Sequence, residues 1–272
     1  MRTHARHHLK VGLSWGTGLV LLLTGAVVSA QEAPTEQAEP SDDGMVFDSG
    51  EVDALASSTP VARFLDEGLQ YFSHEDYASA SVFFWRVVQE KDVSADALRP
   101  RAQYELAKSL VKMRMWQGAL RLFDEITAAG PVHPYFEASA PWVVLIARRV
   151  PEDAQMLRRV AAFGDLFPDR VDPKYRDEMA YMLGEHYFNM GELDRALQYF
   201  DLVSDASPYL ARALYFSGIT HVRQYEAQPA VDKFKRLLAM YMARELRGDE
   251  AQRMAELAEL AIARTFYSTG EF

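Results

Sequence analysis

Residues 177–208 read DEMAYMLGEHYFNMGELDRALQYFDLVSDASP, and the placement of Leu183-Gly184, Tyr187, Gly191, Ala196, Phe200 and Pro208 in that stretch decides how the whole chain is read. A small residue in one helical pattern is followed, beyond a turn at Gly191, by Ala and Phe in a second. Taking the small residue of the first pattern as the marker, the arrangement recurs at Gly68, Ala107, Ala147, Gly184, Gly218 and Ala263, at spacings of 39, 40, 37, 34 and 45. One unit with longer connections at some turns accounts for all five intervals. Gly or Ala where two helices cross lets the helices approach closely, and aromatic side chains fill the space beside the crossing.

This arrangement resembles the tetratricopeptide repeat (TPR), a 34-residue helix–turn–helix unit with a Leu-Gly pair, a Tyr three residues on, and Ala, Phe and Pro at fixed offsets. Phe64, Gly68, Tyr71, Tyr77, Ala80 and Phe84 follow the family spacing, as do Ala107, Leu110, Trp116, Ala119, Phe123 and Pro131. Leu214, Gly218, Ala230 and Phe234 do so again, with Pro229 in the first turn of a second helix, a tolerated place for proline. Such a unit cannot bury its apolar face alone, so neighbours must stack. The resemblance implies an all-α fold, a right-handed α-solenoid of stacked antiparallel helix pairs over residues 60–272, with about five pairs and one unfinished repeat.

The third unit departs furthest from the pattern. Arg159 stands where its second helix wants a small residue, and Pro151 and Pro168 bracket that helix. The apolar spacing of Val143, Ile146, Ala147 and Val150 still predicts two helices, over 138–149 and 152–166. At the end, residues 250–267 predict a first helix, and Ser268-Thr269-Gly270-Glu271-Phe272 matches the turn at Asn189-Met190-Gly191-Glu192-Leu193. The expectation is therefore either a continuation beyond Phe272, the repeats being the accessory region of a longer protein or enzyme, or a partner covering the last helix. A second copy of the chain is one such partner, giving a homo-oligomer.

The chain has a formal charge of −10, unevenly spread. Residues 1–30 carry Arg2, Arg6 and Lys10 and no acids, then an apolar stretch centred on Leu19 to Leu23, then Val28-Ser29-Ala30 before Gln31. That is the pattern of a secretory signal peptide, with an uncleaved inner-membrane anchor as the alternative. Residues 31–59 hold eight acids and no bases with few large apolar side chains, which predicts a disordered acidic linker. The remainder holds 26 of the 29 bases against 31 of the 39 acids, with no clustered basic footprint for nucleic acid. There is no cysteine, hence neither disulfide nor lipid attachment at the cut. The expected location is exported and periplasmic.

No catalytic pattern survives inspection. Gly12-Leu13-Ser14-Trp15-Gly16 spells G-x-S-x-G but lies in the export signal rather than at a strand-to-helix turn. His74, His133, His186 and His221 are scattered singly, without metal-ligand spacing. No phosphate-cradling or dinucleotide glycine motif occurs. Acids at Glu75-Asp76 and Asp165 near Asp169 are read as helix caps. No enzyme activity, cofactor or metal is expected. In the family the concave groove is lined mainly by first helices. Carried onto this chain, that face would present Leu65, Leu69 and Phe72, then Arg101, Tyr104, Lys108 and Lys112. Next come Tyr181, Glu185, Phe188 and Asn189, and finally Arg212, Tyr215, Ile219 and Arg223. Aromatic and charged groups in this mixture suit an extended or helical peptide, although each is also a candidate for packing between helices. Lys108 and Lys112 loosely match the family's two-carboxylate clamp, but its asparagines are missing, so that specificity is not carried over. The expected function is a protein- or peptide-binding scaffold of a bacterial cell envelope.

Overall fold

A computed structural model describes residues 59–150, 153 and 155–269. The export signal and nearly all of the acidic linker lie outside these residues, as does the end at Gly270-Glu271-Phe272. Eleven α-helices occur among the described residues: α1 (Pro60–Ser73), α2 (Tyr77–Gln89), α3 (Arg99–Lys112), α4 (Trp116–Ala129), α5 (Phe136–Arg149), α6 (Met156–Ala161), α7 (Pro173–Met190), α8 (Leu193–Phe200), α9 (Leu210–Arg223), α10 (Ala227–Met242) and α11 (Asp249–Thr269). No strand occurs among them. Consecutive helices pack on each other, and each odd-numbered helix also touches the next odd-numbered one. The result is an α-solenoid of stacked antiparallel helix pairs.

Helix starts follow from capping chemistry. Thr59 Oγ1 accepts the Ala62 amide at 3.1 Å with Pro60 in the first turn, and Asp172 does the same for Lys174 at 2.9 Å ahead of Pro173. Asp76 caps α2 by accepting from Ser79 at 3.0 Å. Of the acids read as caps, Asp76 serves that role, whereas Asp165 sits inside a short 3-10 turn and Asp172, not Asp169, caps α7. Four of the turns within pairs share one left-handed residue, at Glu75, Arg114, Gly191 and Tyr225 (φ 59–81°).

The crossings hold the pairs together. A Cβ built on Gly68, Gly184 or Gly218 would lie 2.6, 2.5 or 2.3 Å from a ring carbon of Phe84, Phe200 or Phe234 respectively. Those separations are far below van der Waals contact, so glycine is required there. Ala107 and Ala147 occupy the same position opposite Phe123 and Phe163, both fully buried. In every pair the ring lies sixteen residues after its small partner.

The third pair differs from expectation. Its first helix begins at Phe136 and tolerates Pro141, but its second is only Met156–Ala161, followed by a 3-10 turn at Gly164–Leu166, in place of one helix over 152–166. Arg159 is held by two elements at once. Its guanidinium binds Asp124 of α4 at 2.7 and 3.0 Å and Asp153 at 2.8 Å. Phe167 is extended, as expected of a residue preceding proline, which ends the segment before Pro168.

Candidate functional site

The odd-numbered helices present the face on which a groove is expected, and its side chains divide into two kinds. Some are consumed in joining neighbouring units. The Tyr104 hydroxyl accepts from Trp142 Nε1 at 3.0 Å, donates to the Ala138 carbonyl at 3.3 Å, and its ring stacks on Tyr135 with centroids 4.8 Å apart. Lys108 is 1% exposed, with its ammonium 3.0 Å from Glu105 and near the Phe72 and Tyr104 rings. Tyr181 is buried against Tyr209 and Phe200. Tyr104, Lys108 and Tyr181 therefore lie beneath the surface, and Leu65 is buried in the first core cluster.

The same face carries a polar seam, of which the sequence had singled out Tyr181, Glu185 and Arg212 but not Arg148, Glu178, Tyr209 or Glu250. Arg148 of α5 makes a two-pronged pair with Glu178 of α7, which also accepts from Tyr209 Oη at 2.8 Å. Two units further on, Arg212 of α9 pairs with Glu250 of α11 and lies over the Tyr181 ring. Burial raises the pKa of Tyr181, reinforced by Glu185, and burial likewise raises that of Tyr209. Burial also raises Glu185, against the opposing pull of Arg212. Buried charges need such partners, and these partners come from adjacent units. The signal that could have found them is position: Arg148 directly follows Ala147, and Glu178 lies six residues before Gly184 on the first helix of the next unit.

Other expected residues remain at the surface. Asn189 and Arg223 are exposed, the latter stacked over Phe188 at 4.5 Å and donating to its carbonyl at 2.9 Å. Lys112, Glu185, Arg212, Tyr215, Phe188 and Ile219 are half-buried. Tyr215 packs edge-on to Phe216 and burial raises its hydroxyl pKa.

Three expected residues converge on a cavity of about 490 Å³. Leu69 and Phe72 of α1 and Arg101 of α3 line it together with Ser73, Glu75, Tyr77 and Glu105. Phe72 meets Tyr77 edge-to-face at 5.2 Å, giving an aromatic wall. Arg101 is half-buried, and it has no hydrogen bond or ion pair among the described residues. An apolar wall beside a guanidinium that makes no ion pair with a described carboxylate can receive a side chain and a neighbouring carboxylate or carbonyl. Among the described residues no group of three His, Asp or Glu could hold a metal, and no helix is long and apolar enough to cross a membrane.

No protein-family model matches the chain, nor does any curated protein sequence. Among solved structures it is similar to YrrB, a TPR protein with an unusual peptide-binding site, at 16% identity and a TM-score of 0.45, over 79% of this chain and 97% of that one. It is also similar to the MamA RS-1 ArsTM double mutant at 16% identity and a TM-score of 0.41, over 68% of this chain and 96% of that one.

Proposed function

We propose that this chain is a non-enzymatic, exported scaffold of a bacterial cell envelope that binds a segment of another protein on the face formed by its odd-numbered helices. The observation that carries the reading is the α1–α3 cavity, which Leu69, Phe72 and Arg101 line together. Stacked helix pairs supply extended surfaces for partners rather than enclosed sites for chemistry. The basic-then-apolar start of the sequence supports export.

The test is photo-crosslinking in envelope extracts with a probe at Ser73, on the rim of that cavity. Leu69→Asp and Arg101→Glu should each abolish the captured band, whereas Arg121→Glu, on an outer surface of α4, should leave it. Capture indifferent to both face substitutions would place the binding surface elsewhere. Recovery of the chain with periplasmic marker proteins checks the location, and recovery with cytoplasmic ones overturns it.

A further inference from the structure

The end of the solenoid opposite α11 presents an aromatic surface. Tyr71 of α1 stacks on Phe83 of α2 with centroids 5.3 Å apart and planes 13° from parallel, and Phe64 lies 6.4 Å from Phe83. The Arg86 guanidinium sits over Phe64 and Phe83 at 5.6 and 5.3 Å. Tyr71 is 40% exposed.

In the second and fourth units the corresponding positions are covered by the unit before. In the second unit they are Leu110 and Leu122, both of which pack against the core of the first. In the fourth they are Tyr187 and Tyr199, likewise stacked, at 5.3 Å and 10°, with an arginine, Arg195, here over the Tyr187 ring at 3.8 Å. There Tyr187 is only 8% exposed, because the 3-10 segment Gly164–Leu166 and the adjoining Phe167 lie on the stack. A Cβ on Gly164 would be 3.8 and 3.9 Å from the Tyr199 and Tyr187 hydroxyls, and the Phe167 ring is 5.7 Å from Tyr199. A short non-α segment with one phenylalanine is thus enough to cover such a stack.

Ahead of α1 the sequence contains a similar string. Gly44-Met45-Val46-Phe47 repeats the glycine, aliphatic and phenylalanine order of Gly164-Asp165-Leu166-Phe167. It is flanked by Asp42, Asp43 and Asp48, opposite in sign to Arg86. We propose that Gly44–Phe47 docks on the Phe64–Tyr71–Phe83 surface as an intramolecular cap, with Phe47 taking the part that Phe167 plays in the fourth unit and an adjacent aspartate meeting Arg86. Reach permits it: Phe47 and Thr59 are twelve residues apart, which spans up to about 40 Å when extended. Helix α1, along which the chain must return, is only about 21 Å long. The cap lies on a different surface from the α1–α3 cavity and stands or falls independently of the proposed function.

The test uses the full chain with p-benzoylphenylalanine in place of Tyr71, irradiated and mapped by mass spectrometry. The expected product joins the probe to the peptide containing Phe47 within one molecule, with a yield unchanged on dilution. Phe47→Ser should lower that yield roughly tenfold, since one phenylalanine's burial is lost. The same probe at Val82, one helical turn before Arg86 and 49% exposed, provides a second position if the Tyr71 replacement disturbs folding. Crosslinks only to a second copy, rising with concentration, would overturn the proposal in favour of a dimer. Crosslinks only to another protein, none to the Phe47 peptide, or a yield indifferent to Phe47→Ser would overturn it as well.

Discussion

Replacing Gly184 by alanine tests the crossing geometry directly. Alanine is the better helix former by about 1 kcal/mol, so at an ordinary helical position the change would stabilise. Here the new methyl would lie 2.5 Å from two carbons of the Phe200 ring and 3.0 Å from a third. Phe200 is 2% exposed and packed against Tyr181 and Phe216, so the ring has no room to retreat. The two helices must move apart, and overpacking of this kind costs about 1–3 kcal/mol. With a rigid ring the upper part of that range applies, leaving Gly184→Ala destabilised by about 2 kcal/mol after the propensity gain. Gly118→Ala is the internal control, because its methyl would meet only the Leu110 Cδ1 at 3.2 Å, the end of a flexible side chain. It should be neutral or slightly stabilising. Equilibrium urea unfolding followed by far-UV circular dichroism reads both, and the pair Gly184→Ala with Phe200→Leu should cost less than the sum of its parts. If Gly184→Ala unfolds at the same urea concentration as Gly118→Ala, the glycine is not there to admit the ring and the crossing argument fails.

The polar seam should be intolerant of halving. Among the described residues Arg148→Leu leaves Glu178, 3% exposed, with only the Tyr209 hydroxyl, and should cost about 3–5 kcal/mol in the same unfolding assay. A cost under about 1 kcal/mol would mean that the pair is not buried in solution. Glu185 behaves in the opposite sense to a paired carboxylate. Because burial raises its folded pKa above 4.5, the fold favours the protonated form, and the stabilisation present in acid is lost as pH rises through the raised value. Tyr181 on its own helix, Arg212 on α9 and the more distant Glu250 on α11 set the local field. Glu185→Gln should therefore gain on the parent protein between pH 4 and pH 8, and a pH-independent difference in urea midpoints would refute this. At the turns, Gly191→Ala should cost about 1 kcal/mol for its left-handed backbone. Tyr225→Gly should be neutral or gain a few tenths, since the same relief is offset by glycine's greater freedom when unfolded. Thermal melts check both signs.

How legible the molecule was from its sequence depends on which contacts are local in the repeat. Gly184 and Phe200 sit at a fixed offset inside one unit, so their pairing and the helix boundaries around them could be read directly. The second helix of the third unit could not: it is only Met156–Ala161, and its Arg159 reaches back to Asp124 of the preceding unit. Periodicity carries no information about such an ion pair. The same limit applies to the groove. Counting helix turns identifies which residues lie on the odd-helix face, but not whether a neighbouring unit has already taken them. Tyr104 and Lys108 face the expected way and are buried by Trp142, Tyr135 and Phe72, which arrive from other helices.

That distinction also decides where along the face a ligand gains most. A ligand carboxylate approaching Arg212 must compete with Glu250, which is held on the same scaffold at no translational cost. Displacing it would also loosen the contact between α9 and α11. Among the described residues no carboxylate forms an ion pair with Arg101, and Leu69, Phe72 and Tyr77 offer apolar area beside it. Binding energy concentrates where an anchor meets a desolvated pocket, so it should be weighted towards the α1–α3 end. Once a captured segment is identified, fluorescence polarisation with the labelled peptide gives the measurement. Leu69→Ala, Phe72→Ala and Arg101→Ala should each weaken it by at least about tenfold, a loss of about 1.4 kcal/mol or more. Tyr215→Ala and Arg223→Ala should change it by less than about threefold. The reverse order would show that ligands do displace the inter-unit pairs, and the site would then have to be sought along α7, α9 and α11.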